Sequence, residues 1–123
     1  MDELKLCESD YRFMRIIWDN EPLSSRALVD LCAQKLGWKK STTYTVLKKL
    51  CERGLFQTEN STVTAKLSRE EFYSIQSEKF VEETFEGSLP AFLAAFTKRQ
   101  DVSDTDLDEL QAMIDRARKG GGK

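Results

Sequence analysis

The chain has 123 residues, enough for one domain of ordinary size or for a compact head with a helical tail, and a hydrophobic content of 40% supplies a core. It holds no histidine and only three widely separated cysteines, Cys7, Cys32 and Cys51, with no Cys-x-x-Cys pair. That excludes the common zinc sites and the hydrolytic or nucleophilic arrangements that depend on a histidine base. The net charge of −2 is unevenly divided, with 11 Lys/Arg against 9 Asp/Glu in residues 1–67 and 8 against 12 in residues 68–123.

No enzyme, cofactor or metal is expected from this inventory. Cys32 and Cys51 continue apolar helical stripes and read as small buried hydrophobes. The longest uncharged stretch of the second half, Gly87 to Thr97, is far too short to cross a bilayer, and the N-terminus lacks a basic region followed by an apolar core. A cytoplasmic protein without membrane insertion is the expectation.

In chain order, Tyr11, Phe13, Met14, Ile17 and Trp18 recur at helical intervals and predict a first helix over residues 8–19, which Pro22 cannot continue. Ser24 or Ser25 caps a second helix whose inward stripe is Ala27, Leu28, Leu31, Cys32 and Leu36 and which Gly37 ends. The third helix falls within residues 38–54. It has an apolar stripe of Val46, Leu47, Leu50 and Cys51, while Lys39, Lys40, Ser41, Thr42, Thr45, Lys48 and Lys49 fall largely on the other side. Within residues 35–53 six basic residues stand against the single acid Glu52, a positive patch that would steer a polyanion to one surface. By itself such a helix is also compatible with a solvated face whose lysines only confer solubility.

Residues 55–67 decide between these readings. Leu55 to Thr58 and Val63 to Leu67 are β-prone runs around the polar turn Glu59-Asn60-Ser61-Thr62, the pattern of a hairpin. Three helices and a hairpin, with the basic helix third, describe a winged helix-turn-helix, in which the third helix enters the major groove of double-stranded DNA. Further helices are predicted at about 69–86, 88–99 and 104–118, capped by Ser68, Ser88 and Ser103. Five of the seven phenylalanines lie in residues 72–96, more aromatic surface than so short a segment can bury alone.

The expected fold is therefore mainly α with a small β-hairpin: a winged helix-turn-helix at 1–68, a helical dimerisation domain at 69–118 and a disordered tail at 119–123. Dimer contacts are assigned to Phe72, Phe80, Phe85, Phe92, Leu93, Phe96, Leu107, Leu110 and Ile114. DNA contacts are assigned to Lys39, Lys40, Ser41, Thr42, Thr45, Lys48 and Lys49. Two other functions compete, a protein-interaction module whose lysine patch is incidental and a regulator released by a small ligand.

The chain resembles the penicillinase-repressor family, the BlaI/MecI/CopY group of bacterial transcriptional repressors. The likeness is carried by Glu8 to Trp18, Trp38 to Gly54, Phe85-Glu86-Gly87-Ser88-Leu89, Leu93-Ala94-Ala95-Phe96 and Val102 to Leu110. It implies a homodimeric repressor on a palindromic operator, read mainly through Ser41, Thr42 and Thr45. It also implies inactivation in response to a cell-wall antibiotic, when a membrane sensor protease, or a cytosolic step it triggers, cuts before a phenylalanine; Ala95-Phe96 is the matching bond. Three departures stand out: Ser41 replaces a frequent lysine, the wing tip is short and acidic where others are basic, and Cys7 stands where a Ser or Thr would cap the first helix. Copper-responsive members carry Cys-x-Cys pairs near the C-terminus, and here no cysteine follows Cys51.

Overall fold

A computed structural model of the chain describes residues 6–121. It divides into two compact units, with the division between Gln76 and Ser77.

The first helix, α1 (Glu8–Asn20), buries Phe13, Met14, Ile16 and Ile17 and ends before Pro22. Cys7 occupies the cap position, and its backbone N–H donates to Oδ2 of Asp10 at 3.1 Å, so a carboxylate three residues on satisfies a free amide. A two-residue strand, β1 (Leu23–Ser24), comes next; so short a run carries no readable period in the sequence. In α2 (Ser25–Leu36) it is Ser24 that caps, its Oγ accepting from the Ala27 amide at 3.0 Å. Gly37 closes α2 in the left-handed region at φ 70°, where a side chain would be strained, and its N–H reaches the Ala33 carbonyl at 3.1 Å.

The third helix, α3 (Lys40–Glu52), buries Thr43, Leu47 and Leu50, with Val46 and Cys51 half-buried. Thr43 is polar yet completely buried, and it is satisfied because its Oγ1 donates to the Lys39 carbonyl at 3.2 Å. Strands β2 (Phe56–Glu59) and β3 (Thr62–Ala65) form the expected hairpin, and β1 adds to it, giving an antiparallel sheet in the order β1-β3-β2. The turn is tighter than the four residues anticipated. Glu59 pairs with Thr62, so only Asn60 and Ser61 bridge the strands, both with positive φ (54° and 60°) as a two-residue hairpin turn demands.

The core of the first unit is Phe13, Met14, Ile17, Leu28, Leu50, Phe56 and Val63, joined by Phe72 from the next helix, α4 (Arg69–Phe85). The placement of Phe72 bears on the sequence reading. Its ring is 1% exposed and packs on Tyr11 and Trp18 at centroid distances of 5.9 and 5.5 Å, so within one chain it is already covered by the head. The start of α4 is held down by further bonds: Trp18 Nε1 donates to the Leu67 carbonyl at 3.1 Å, Gln76 Nε2 to the Tyr11 hydroxyl at 2.8 Å, and Arg69 pairs with Asp19. This docking moves the division between units from the expected 68/69 into α4, after Gln76.

The second unit holds the end of α4, then α5 (Leu89–Arg99) and α6 (Asp104–Gly121). Ser88 and Ser103 cap as expected, accepting from the amides of Ala91 and Asp106 at 3.1 and 3.0 Å. Helix α6 continues through residues 119–121 of the expected disordered tail, since no proline stops it and Arg118 and Lys119 favour its C-terminal end. The last two residues of that expectation lie outside the described residues.

Candidate nucleic-acid interface

The burial of Thr43, Leu47 and Leu50 fixes the rotation of α3, and with it which residues remain on the surface. Ser41, Thr45 and Lys48 lie on the side opposite the core, Thr42 and Lys49 to one flank, Lys40 and Tyr44 to the other; all but Lys49 are exposed. Lys39 is exposed at the cap. Among the described residues no acid pairs with Lys39, Lys40 or Lys48. The helix therefore presents three free ammonium groups among small hydroxyls, the donor set that neutralises phosphates and reaches groove edges. Glu52 closes that face at its C-terminal end, so the positive character sits in the first turns.

Lys49 differs. Its ammonium is 3.1 Å from Oδ1 and 3.2 Å from Oδ2 of Asp10, a carboxylate that is 3% exposed. Burial pushes the Asp10 carboxyl up, but the Cys7 amide, Lys49 and the Cys7 thiol outweigh this and hold it below its ordinary range. Across the helix interface the Cys32 thiol is pushed up by burial, in part offset by the neighbouring Thr43 side chain. Neither group faces the surface of α3 that carries the lysines. Among the described residues no cluster of three metal-ligating side chains occurs.

The wing contributes no cation at its tip, which reads Glu59, Asn60, Ser61 and Thr62. It is fastened to the start of α2 by a bond from the Ser25 amide to the Ser61 carbonyl at 2.9 Å. Beside that junction lies a cleft of about 460 Å³, lined by Ser24, Ser25, Arg26, Val29, Asp30, Lys40, Tyr44 and Ser61. Sequence reasoning passed over Arg26 and Tyr44. The spacing of Tyr44, four residues from both Lys40 and Lys48, was the available signal.

The second unit shows a different surface. No residue from 77 to 120 is buried, although Phe80, Leu89, Phe96, Leu107, Met113 and Ile114 are large and apolar. Phe80, Phe85, Phe92 and Phe96 form a chain of ring contacts with centroids 5.6–6.1 Å apart. A groove of about 510 Å³ between α5 and α6 is lined by Leu93, Phe96, Leu107, Leu110 and Met113 among others. Ala95 and Phe96 are exposed in the middle of α5, and Ile114 and Leu110 lie on α6. No helix among the described residues is long and apolar enough to cross a membrane.

Three helices with a three-stranded wing sheet, continued by helices that bury nothing of their own, define a winged helix-turn-helix regulator with a helical appendage. The sequence profile of the penicillinase repressor family matches residues 6–116, and the chain belongs to that family. Its role is that of a transcriptional repressor. An uncharacterized 16.5 kDa protein in the ptsI 3'region of Latilactobacillus sakei is 27% identical over 114 residues, which is 89% of this chain and 78% of that protein.

Proposed function

We propose that the protein is a homodimeric repressor that binds a palindromic operator with one α3 in each half-site. The observation that carries this reading is the division of α3 into a core face of Thr43, Leu47 and Leu50 and an exposed face of Ser41, Thr45, Lys48, Lys40 and Thr42. Lys39, Lys40 and Lys48 neutralise phosphates; Ser41, Thr42 and Thr45 read base edges. Lys49 is assigned the ion pair with Asp10 in place of a phosphate.

Dimerisation through the second unit accounts for its apolar residues. A segment that buries none of them alone gains stability when a second copy covers Phe80, Leu93, Phe96, Leu107, Leu110 and Ile114, and a two-fold axis matches an inverted repeat. Release of the operator by a cut between Ala95 and Phe96 fits the same logic, because the cut parts Leu93 from Phe96, Leu107 and Leu110 and so breaks up the surface that a second copy would cover.

Selection from a library of duplexes with a random core tests the reading. The full chain should enrich an inverted repeat. Failure to enrich any sequence, with binding indifferent to salt, would favour a protein-interaction module.

A further inference from the structure

Resting on that reading of α3, we propose that Tyr44 reads a base edge at the flank of each half-site and that Arg26, with Lys40, holds the adjoining phosphate. Tyr44 is 39% exposed in the middle of the helix, whereas every other described aromatic residue of the first unit except Tyr73 is buried or half-buried. Its ring lies in the stripe of Lys40 and Lys48, one turn from each, and it lines the cleft into which Arg26 and Lys40 also project.

The wing explains why these residues serve that flank. A wing usually supplies phosphate contacts beside the recognition helix. Here its tip has no cation, and the bond from the Ser25 amide to the Ser61 carbonyl draws it against the first turn of α2. Arg26 is the next residue. It is exposed, and no acid pairs with it among the described residues. Asp30 is the one carboxylate of the lining, so the cleft holds two cations against one anion. A guanidinium can grip a phosphate with two parallel N–H donors, and a phenol offers both a hydroxyl that donates or accepts and a ring that packs on a thymine methyl.

The experiment is selection from the same random-core duplex library with the wild type, Tyr44→Ala and Arg26→Ala, then titration on the enriched and on a scrambled duplex. Tyr44→Ala should enrich a repeat with one position blurred in each half, and lose roughly 5- to 150-fold affinity for the enriched duplex while the scrambled one changes little. Arg26→Ala should keep the repeat, bind both duplexes more weakly and lower the salt slope by about 0.9 for each head. If Tyr44→Ala fails to fold, Tyr44→Gln, which suits an exposed helical position, carries the same test. An unchanged repeat with unchanged affinity for the Tyr44 variants would overturn the proposal while leaving the repressor reading intact. A wild type that enriches nothing would overturn the reading beneath it and this proposal together.

Discussion

Lys49 and Asp10 are 39 residues apart in sequence, yet the ammonium bridges both carboxylate oxygens at 3.1 and 3.2 Å and so ties the recognition helix to α1. The same carboxylate accepts from the Cys7 amide at the start of α1. One buried acid thus fixes both the beginning of α1 and the position of the third turn of α3. The lysines of α3 divide accordingly, with Lys39, Lys40 and Lys48 free for a polyanion and Lys49 engaged within the protein.

Lys49→Ala should lower stability by about 1–2 kcal/mol, since a buried carboxylate loses a charged partner that is itself 41% exposed and partly replaced by water. Its salt slope on duplex DNA should stay at the wild-type value. Urea melts and salt titrations of Lys49→Ala and Lys48→Ala, run side by side, check the contrast: Lys48→Ala should reverse the pattern.

The Asp10 carboxyl is held below its ordinary range in the folded chain, so the folded state favours the ionised form. The stability it confers is complete above the unfolded value of about 3.9 and is lost as pH falls through the lower folded value. Asp10→Asn should be less stable than the wild type at about pH 6, and the gap should close toward about pH 3. Denaturant midpoints measured across that range provide the check; a gap that widens on acidification would contradict the assignment.

A head fragment ending at Gln76 should fold as a monomer, and one ending at Ser68 should be less stable by about 3–5 kcal/mol because it lacks Phe72, a ring that is 1% exposed. Thermal melts and sedimentation of both fragments distinguish this from a head that is complete at Ser68. A dimer formed by the Gln76 fragment would move the interface out of the second unit.

The order of elements was legible in the sequence because each boundary has local chemistry: Ser24, Ser88 and Ser103 cap, Gly37 terminates, and apolar residues recur at helical spacing. The sequence groups Phe72 with Phe80 and Phe85 because all three fall on one long helix, and periodicity cannot say which part of a long helix docks on which partner. Lys49 was placed with the other lysines for a similar reason. Only the fold brings Asp10 to it, and no spacing within α3 announces a carboxylate from α1. Arg26 escaped because its place beside Lys40 depends on the β1-β3 pairing, and β1 is two residues long.

Substituting Phe96 or Leu107 by Asp should shift the protein from dimer to monomer, since both are about half exposed in one chain and gain cover only from a second. A cut between Ala95 and Phe96, made through an engineered protease site, should act in the same direction. Two joined heads bind paired half-sites about 10²–10⁴-fold more tightly than separate ones, so affinity should fall by that factor with every DNA contact residue intact. Operator affinity that survives complete cleavage would contradict this.

The salt dependence of duplex binding tests the role of α3 most directly. Lys40 and Lys48 are exposed, so Lys40→Ala/Lys48→Ala should leave the fold intact while removing four phosphate contacts from a dimer. The slope of log affinity against log salt should then become shallower by roughly 3–4 units, at about 0.9 for each contact. A slope equal to that of the wild type, or wild-type binding that does not weaken as salt rises, would contradict the assignment of α3 to the DNA.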